Sequence, residues 1–460
     1  MTEVPSQTIA RMAAMTPEDM RSLQLAKLGR QLERVWASNP FYRGIYEKAG
    51  IAPEDIATLE DFSARVPTVG KPEFLADQEQ NPPFGLRLGV PREEVVMVNL
   101  TGGTSGLGQE FYGRTAHDIV IQGHLHALPY YMAGLRRGDT ILNCVPAGGM
   151  STGGWGPPEG FRQMGGPTFN AGGTLGTDAK IDLMLRFGEI HFIYASTNYV
   201  HTLTEGLRRR GISPRDTFPM MRAIFFAAEG YAPEWRQQIE EFWGCRVNEG
   251  YGSTQVAGFG YVDCHKAGEP ERGLLHALEW HSLLEVVDPD TGAHVAPGEE
   301  GEVLVTNLDI QASPAIRFRT GDRARYFPAA ACSCGRPWHC IEAGSVGRYD
   351  DMLKIRGNNV WPITVDGAVF AFAEVDEYTG RVYVDAKGRT EVEVRLAFKP
   401  ETKAQGERAR QALLARIGEA IREKTNVKMT LIQVSRGELP DYHYKARRWR
   451  DERRQGYKLD

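Results

Sequence analysis

The sequence predicts an α/β protein in two parts, a large N-terminal domain and a small α+β domain at the C-terminus. Short apolar segments alternate with helical stretches through the first half, which is typical of a largely parallel sheet covered by helices. From Leu283 the pattern changes to alternating β-strands, and after Asp350 a separate strand–helix–strand pattern begins. We therefore expect domains at residues 1–349 and 350–460.

The individual elements follow from local signals. Thr16 and Pro17 predict the start of a helix that runs to about residue 36, because Thr is a good N-cap and Pro suits the first helical position. Further along, the predicted strands are 95–100, 140–145, 190–195, 223–228, 391–398 and 427–434, and the predicted helices are 233–243 and 403–424.

Composition excludes several classes of protein. The 460 residues include 54 Lys+Arg against 59 Asp+Glu, a net charge of −5, and 42% are hydrophobic, as in ordinary globular proteins. No apolar run approaches the ~20 residues of a membrane span, and the N-terminus lacks the basic start and apolar block of a secretory signal. We expect a cytoplasmic protein that binds neither membrane nor nucleic acid.

The charge is unevenly distributed. Residues 351–460 contain 22 basic and 17 acidic residues, a net +5, which leaves −10 for residues 1–350. The small domain is therefore basic, and overall acidity does not argue against an anionic ligand that binds between the two domains.

A glycine-rich segment, Thr101–Gly108, directly follows the first predicted strand. Its glycines and hydroxyl residues can direct N–H and O–H groups at a phosphate, although it lacks the Gly-Lys-[Ser/Thr] ending of a P-loop NTPase. A glycine-rich surface loop without a ligand is an equally good interpretation of this segment alone. Three further polar segments follow. Taken alone, 248–255 looks like a turn and 317–322 looks like a surface salt-bridge cluster, whereas 347–357 lies at the predicted domain boundary.

Taken together and in this order, the four segments resemble the adenylate-forming superfamily of acyl-CoA synthetases, adenylation domains and luciferases. The opening residues 16–51, the segments 59–74 and 227–244, and Cys-Ser-Cys-Gly-Arg at 332–336 are similar to the phenylacetate-CoA ligase branch. The resemblance implies a large multi-subdomain N-terminal adenylate-forming domain and a small mobile α+β C-terminal domain. It also implies two half-reactions, in which ATP and a carboxylate give acyl-AMP and pyrophosphate, and a thiol then displaces AMP.

The resemblance assigns a role to each matching position. The catalytic candidates are Lys445, the cation of adenylation; Thr254, at the α-phosphate; Arg348, near ribose and phosphate; and Asp350, the hinge. The candidates for ATP and CoA binding are Thr101, Gly102, Gly103, Thr104, Ser105, Gly106, Ala228, Glu229, Tyr251, Gly252, Gln255, Asp322 and Gly357. A solvated basic tail is the alternative interpretation of Lys445, because five arginines follow it.

Two positions depart from the family pattern. Leu107 stands where many members have a lysine, and Gln255 stands where they have a glutamate that helps to hold Mg²⁺. Either Mg²⁺ is held by the triphosphate and water, as is common for this ion, or adenylation is weak or altered.

Cysteines in one stretch of the chain predict a metal site. Cys332 and Cys334, with Cys264 and His276 upstream, can offer three thiolates and an imidazole to one tetrahedral, structural Zn²⁺. The resemblance supports this set, since phenylacetate-CoA-ligase-like proteins have similar residues at matching places. His265, His281, His339 and Cys340 are substitutes, and reduced cysteines without a metal are the alternative.

We expect the acyl pocket to be bounded by residues 193–200, 225–229 and 148–156. The aromatic candidates are Tyr194, Tyr199, Phe225 and Trp155, and His201 and Asn198 could contact a ring substituent. The predicted function is an AMP-forming acid–thiol ligase that converts an aryl or arylacetic acid to its CoA ester, with ATP, CoA, Mg²⁺ and structural Zn²⁺. Transfer to a carrier protein or amine, a degraded nucleotide- or acyl-binding homologue, and a homodimer stay open.

Overall fold

The structure is a computed structural model of the whole chain. It describes residues 4–101, 108–227, 233–264, 273–343, 346–348, 353–356, 358–385, 389–403, 406–440 and 448–453. The N-terminal part is helical, and Thr16 forms the predicted cap: its side chain accepts from Asp19 N–H, and the Asp19 side chain accepts from Thr16 N–H. The first helices are α1 (Pro5–Ala14), α2 (Pro17–Ser38), α3 (Pro40–Lys48), α4 (Leu59–Arg65) and α5 (Lys71–Gln80).

These helices pack on the body of the protein through polar as well as apolar contacts. The Tyr42 hydroxyl donates to Pro314 O (3.1 Å) and accepts from Ile316 N–H (2.9 Å). Lys27 forms an ion pair with Asp309 (2.7 Å). The apolar face of α2 joins a core that also contains residues of the second half of the large domain.

The strand that precedes the glycine-rich segment corrects one prediction. β1 (Met97–Leu100) pairs antiparallel with β2 (Phe111–Arg114) as a separate two-stranded ribbon. We had expected it within the parallel sheet. A four-residue strand of which one residue is fully buried cannot occupy a sheet interior that helices cover on both faces.

The predicted strands 140–145, 190–195 and 223–228 lie in a parallel sheet, as expected. Two further strands of this sheet, at 168–172 and 246–253, were not predicted, and the second covers most of the segment 248–255 that looks like a turn when taken alone. The order of the strands is β4-β3-β5-β6-β7, and helices connect them. The strands are β3 (Ile141–Pro146), β4 (Thr168–Gly172), β5 (Phe192–Ser196), β6 (Ala223–Ala227) and β7 (Arg246–Ser253). The helices are α6 (Ala116–Met132), α7 (Thr152–Met164), α8 (Thr177–Phe187), α9 (Thr197–Arg209), α10 (Pro214–Thr217) and α11 (Pro233–Trp243).

Beyond β7 the same sheet continues with antiparallel strands, as the alternating pattern after Leu283 indicates. The order from β7 is β8-β9-β13-β12-β11-β10, and β14 pairs with β12. These strands are β8 (Gly258–Asp263), β9 (Leu274–Ala277), β10 (Ser282–Val287), β11 (Glu300–Asn307), β12 (Phe318–Phe327), β13 (Cys340–Glu342) and β14 (Gly347–Arg348). The sheet is therefore parallel in one half and antiparallel in the other.

The C-terminal part has its own four-stranded sheet, β19-β18-β17-β20, and its own apolar core. β15 (Leu353–Ile355) and β16 (Asn358–Val360) form a ribbon at its start. The remaining strands are β17 (Val375–Val384), β18 (Thr390–Phe398), β19 (Thr430–Gln433) and β20 (Trp449–Asp451), and the helices are α12 (Pro362–Val369), α13 (Pro400–Lys403) and α14 (Glu407–Thr425).

The predicted class is confirmed: a large α/β part precedes a smaller α+β part. The predicted boundary at residues 349 and 350 falls outside the described residues and stays a prediction. Among the helices that the structure describes, none combines the length and the apolar character needed to cross a membrane.

Candidate functional site

The two residues that flank the glycine-rich segment, Thr101 and Glu110, are held together, and we call this pair the neck. Thr101 N–H donates to Glu110 O (3.2 Å), and Glu110 N–H donates to Thr101 Oγ1 (3.0 Å). The side-chain amide of Gln109 donates to Thr101 O (3.1 Å). Five residues predicted to bind phosphate lie outside the described part of the chain: Gly102, Gly103, Thr104, Ser105 and Gly106. Of the predicted loop residues, the structure therefore describes Thr101, at the neck.

Sequence reasoning missed a buried carboxylate at this neck. The side chain of Glu110 is fully buried, and its oxygens accept from Thr101 Oγ1 (2.7 Å), the Tyr112 hydroxyl (3.1 Å) and Gln255 Nε2 (3.2 Å). Lys71 Nζ lies 3.2 Å from the same carboxylate. The available signal was an acidic residue between the glycine-rich segment and a strand.

The position of Glu110 gives a physical reason for glutamine at position 255. The Gln255 amide donates a hydrogen bond to the Glu110 carboxylate at 3.2 Å. A glutamate at 255 would bring two carboxylates together beside a fully buried group, which is costly because like charges repel strongly where water is excluded. An amide is the side chain of similar shape that fits this contact.

Three of the predicted residues, Tyr251, Asp322 and Arg348, form one hydrogen-bonded set. The Tyr251 hydroxyl donates to Asp322 Oδ2 (2.7 Å), and Arg348 Nη1 donates to Asp322 Oδ1 (3.2 Å). Asp322 on β12 and Arg348 on β14 are direct partners across the two strands. Burial, together with the negative charge of Asp322, raises the pKa of Tyr251 well above its usual value, so the phenol stays protonated and can donate.

Gly252 and Thr254 lie at the end of β7. A Cβ at position 252 would stand 2.1 Å from Gly258 O on β8, so this close pairing of strands requires glycine. Thr254 O accepts from the buried guanidinium of Arg114 (3.0 Å). The chain segment that follows β7 is therefore attached to β2, the strand that closes the glycine-rich loop.

The small domain contacts the large domain beside this site. Arg448 Nη2 donates to Asn198 Oδ1 at the start of α9 (2.9 Å). Its Nε donates to Glu377 Oε1 (2.7 Å), and the charges of Asp366 and Glu377 raise the pKa of Arg448 despite its burial. Lys445, three residues earlier, is outside the described residues, as are Ala228, Glu229, Asp350 and Gly357.

The structure shows what surrounds four of the acyl-pocket candidates, whose role in the pocket stays a prediction. Asn198 accepts from the small domain, and His201 faces the acidic side chains Asp376, Glu377 and Glu205 and the ammonium of Lys399. Both residues are therefore part of the domain interface in this structure. Tyr199 packs with the apolar core on the α8 side, where Lys180 lies 4.6 Å from its ring centre. Trp155 is 43% exposed and donates to Gly149 O (2.6 Å).

Tyr194 and Phe225 belong to an aromatic wall formed by α6, α7, β5, β6 and β8. Tyr130 lies at its centre, with ring centroids at 4.7 Å from Phe161, 5.3 Å from Phe225 and 5.5 Å from Tyr194. Phe259 on β8 completes the wall at 5.3 Å from Phe225. Phe259 pairs with Gly252, so the wall adjoins β7, the strand that Thr254 directly follows.

His126 packs on Phe259 of this wall with ring centroids 5.1 Å apart. Its Nδ1 lies 2.7 Å from Gln122 O, and because a carbonyl accepts, Nδ1 carries the proton. Burial lowers the pKa of His126 to about 4, so the imidazole is neutral at pH 7.

The four predicted metal ligands come together. Their candidate ligand atoms all lie within 4.8 Å of one another, with Cys264 Sγ 3.3 Å from Cys332 Sγ and Cys334 Sγ 3.2 Å from His276 Nε2. Three thiols and an imidazole at these separations are the donor set that suits tetrahedral Zn²⁺. Hydrogen bonding from Cys264 holds the pKa of Cys334 far below its usual range, which favours a thiolate in the cluster.

The surroundings orient His276 toward this cluster. Its Nδ1 lies 3.3 Å from Trp338 O, an acceptor, and 3.2 Å from Cys340 Sγ. A proton on Nδ1 leaves the lone pair of Nε2 facing Cys334, as a metal ligand requires. Cys340 therefore contacts His276 at Nδ1, while Nε2 faces Cys334.

The other proposed substitutes are engaged elsewhere or not described. His281 lies 2.7 Å from both His124 Nδ1 and Asp309 Oδ2. His339 contacts Glu279 and the Tyr261 hydroxyl. His265 is outside the described residues.

Comparison with known proteins identifies the family. Residues 168–309 match the family of AMP-binding enzymes, and residues 357–453 match the C-terminal domain of AMP-binding enzymes. The phenylacetate-coenzyme A ligase of Thermus thermophilus is 34% identical over 359 residues, which is 78% of this chain and 77% of that protein. The phenylacetate-coenzyme A ligase of Pseudomonas putida is 30% identical over 89% of both chains. The chain belongs to the phenylacetate-CoA ligase family. It is therefore an AMP-forming acid–thiol ligase, which converts a carboxylic acid to its adenylate and then to a thioester.

Solved structures relate the fold of this ligase to that of a known CoA ligase. It superposes on 2-hydroxyisobutyryl-CoA ligase in the postadenylation state, bound to 2-HIB-AMP, with a TM-score of 0.86 at 24% identity, covering 96% of this chain and 92% of that one. The same protein in the thioesterification state, bound to 2-HIB-AMP and CoA, gives 0.69 at 24% identity, covering 96% and 91%. Both comparisons show that this ligase shares the fold of 2-hydroxyisobutyryl-CoA ligase.

Proposed function

We propose that this ligase activates an aromatic carboxylic acid, an aryl or arylacetic acid, as its acyl-AMP and transfers the acyl group to CoA, releasing AMP and pyrophosphate. The observation on which this rests is the aromatic wall beside β7, the strand that Thr254 directly follows. Its side chains are at most 5% exposed, and an aryl group that enters beside them would gain free energy by packing against aromatic rings. Relatives that are named phenylacetate-coenzyme A ligases add support.

The residues around the neck and β7 suit ATP. Asp322, held by Tyr251 and Arg348, offers a carboxylate to the ribose hydroxyls, and Tyr251 would lie against adenine. Thr254 would contact the α-phosphate. Thr101 begins a phosphate loop that continues through Gly106, and Ala228 and Glu229 would line the adenine and acyl pockets.

The small domain would supply the residues that enter or leave the site between the two half-reactions. Lys445 would bridge the carboxylate and the α-phosphate during adenylation, with Arg348 near the ribose and phosphate. We place the domain boundary at 349/350, with Asp350 as the hinge, so that rotation brings Gly357 toward the thiol. Arg448 supports this proposal, because its contact with Asn198 attaches the segment after Lys445 to the large domain.

The residues suit Mg²⁺ and Zn²⁺ in different ways: Mg²⁺ would be bound with the nucleotide, and Zn²⁺ would be bound by the protein. Glu110 already accepts from four side chains and Gln255 is an amide, so these residues suit a Mg²⁺ that is held mainly by the triphosphate and water. The cluster of Cys264, His276, Cys332 and Cys334 suits Zn²⁺, which would be structural because four protein donors complete a tetrahedron. A zinc ion bound there would stabilise the fold and would take no part in the acyl transfer.

A substrate panel tests the proposed reaction. Purified protein is incubated with ATP, Mg²⁺ and CoA together with phenylacetate, benzoate, 2-hydroxyisobutyrate or acetate, and AMP and acyl-CoA are measured by mass spectrometry. We expect AMP and the CoA ester in equal amounts with an aromatic acid. AMP formation without a CoA ester would indicate another acceptor, such as a carrier protein or amine. No AMP with any acid would contradict the proposal.

The two half-reactions test the role of Lys445. Lys445→Ala is expected to slow acyl-AMP formation by about 10²-fold or more, because it removes charge stabilisation from the transition state, while thioester formation from supplied acyl-AMP changes little. Lys428→Ala, on the same domain, is the matched control. Equal losses in both half-reactions would refute the assignment.

A further inference from the structure

The carboxylate of Glu110 joins four separate segments of the chain. Its partners are Thr101 at the start of the glycine-rich loop, Tyr112 on β2, Gln255 after β7 and Lys71 at the first turn of α5. The separations lie between 2.7 Å and 3.2 Å, and the carboxylate itself is fully buried. A buried anion is costly unless charge and hydrogen bonds compensate it, and here both do.

Lys71 is the positively charged member of this group, and it is the one that can also reach a ligand. Its side chain is 16% exposed, whereas that of Glu110 is 0% exposed. Lys71 is also the first residue of α5, where the helix dipole disfavours a cation. The ammonium therefore stays at the neck because Glu110 binds it, and its exposed side can neutralise an anion in the loop.

The remaining contacts of Glu110 fix the shape of the neck. Thr101 both donates to the carboxylate and accepts from Glu110 N–H, so Thr101 and Glu110 cannot separate without breaking both bonds. Gln255 is joined to the same carboxylate and directly follows Thr254. One buried side chain thus connects the loop, the segment after β7 and an ammonium group.

We propose that Glu110 is a positioning residue of the nucleotide site: it holds the Lys71 ammonium at the neck of the loop, toward the phosphates of ATP, and fixes Thr101 and Gln255 around them. This rests on the proposed assignment of the loop to phosphate. Glu110 touches no reacting atom and acts through these three partners.

A swap of the two side chains at one contact tests the proposal. Glu110→Gln removes the charge that holds Lys71, and Gln255→Glu opposes two carboxylates. The double variant Glu110→Gln/Gln255→Glu restores one carboxylate and one amide. The dissociation constants of ATP and of adenosine are measured by calorimetry for folded protein, with thermal unfolding recorded in parallel.

We expect each single variant to weaken ATP binding about tenfold or more and adenosine binding less than threefold, because adenosine has no phosphates. The double variant should recover ATP affinity to within about threefold of the parent, and Lys71→Met should resemble Glu110→Gln. Losses that simply add in the double variant, or equal losses for ATP and adenosine, would overturn the proposal in favour of a general structural role. The parent protein is titrated with ATP first. If it binds no ATP, the proposed function itself is wrong, and this outcome is distinct from a failure of the proposal for Glu110.

Discussion

The Cys/His cluster and the nucleotide site are built in opposite ways. The cluster gathers four donor atoms within 4.8 Å of one another, and the surroundings of His276 direct its Nε2 inward. The residues proposed for the nucleotide site lie on β12 and β14, on or directly after β7, and directly after β1, and Lys445 is assigned to the other domain. A site whose donors already meet suits a permanent occupant, whereas a site divided between two domains suits substrates that enter and leave.

This contrast predicts where a substitution changes stability and where it changes rate. Loss of a donor from the cluster should affect folding first, because the ion would join β8, β9 and the segment before β13. Loss of a side chain at the nucleotide site should affect binding or one half-reaction and leave the unfolding temperature nearly unchanged.

The largest effect is expected from Cys332→Ser. Loss of one zinc ligand should lower the unfolding midpoint by about 5–10 °C and release about one zinc per chain, because metal binding contributes directly to the folding free energy. Cys144→Ala, a buried cysteine of the parallel sheet outside the cluster, is the control. Differential scanning calorimetry and metal analysis check both. If the parent protein contains no metal, the cluster is not a zinc site and the contrast fails.

Asp322→Ala should have the next largest effect, on binding. Each hydrogen bond that a ribose hydroxyl would donate to this carboxylate contributes about 1.5–3 kcal/mol, so loss of both should raise the KM for ATP about 10²-fold or more. The unfolding midpoint should change by less than about 2 °C. Glu300→Ala, which removes a half-exposed carboxylate from the neighbouring strand, should leave the KM unchanged. A large loss of stability with unchanged KM would place Asp322 among the structural residues.

Asn198→Ala tests the contact between domains. Arg448 donates to Asn198 across the interface, and removal of a hydrogen bond to a charged group should slow adenylation about 5- to 10-fold. Thioester formation from supplied acyl-AMP should stay within about twofold, because the domain rotation that we propose would break this contact before that step. Rapid-quench kinetics of each half-reaction gives the answer, with Gln237→Ala as the control. Equal slowing of both steps would mean that the contact does not distinguish the two arrangements.

The last prediction concerns the pH dependence of stability at His126, which packs on the aromatic wall. Burial lowers its pKa to about 4 in the folded protein, against about 6.5 when unfolded, so the unfolded state binds the proton first as pH falls. Between pH 6.5 and 4 this histidine should remove about 1.4 kcal/mol of stability per pH unit. His126→Asn keeps a donor for Gln122 O and should reduce that slope by about this amount in urea unfolding. An unchanged slope would mean that another titratable group causes the loss of stability at low pH.

The contribution of sequence reasoning differs between the fold and the site. Local signals such as the Thr16 cap and the apolar segments of β3, β5 and β6 predicted their elements, because helix caps and buried strands are determined by adjacent residues. The order of motifs also indicated which residues would meet at Asp322. The ribbon β1–β2 was placed wrongly, since strand pairing depends on residues far away in the chain.

Glu110 and Asn198 show why the other contacts of the candidate site could not be predicted from the sequence. Glu110 looks like an ordinary charge in a strand, and its role depends on Lys71 and Gln255, which lie 39 and 145 residues from it. Asn198 has the polarity expected of a pocket residue, yet the small domain covers it. Contacts of this kind arise from tertiary packing, for which a single sequence has no local pattern.

The attachment of the N-terminal helices has a consequence for synthesis on the ribosome. The Tyr42 hydroxyl bonds to Pro314 and Ile316, which are 272 and 274 residues later in the chain. At about 5–20 residues per second, roughly 14 to 55 seconds pass between the emergence of Tyr42 and that of its partners. During this interval the apolar face of α2 has no sheet to cover it, so the nascent helices are a natural target for a chaperone, and faster translation of the middle of the chain should raise the yield of folded protein.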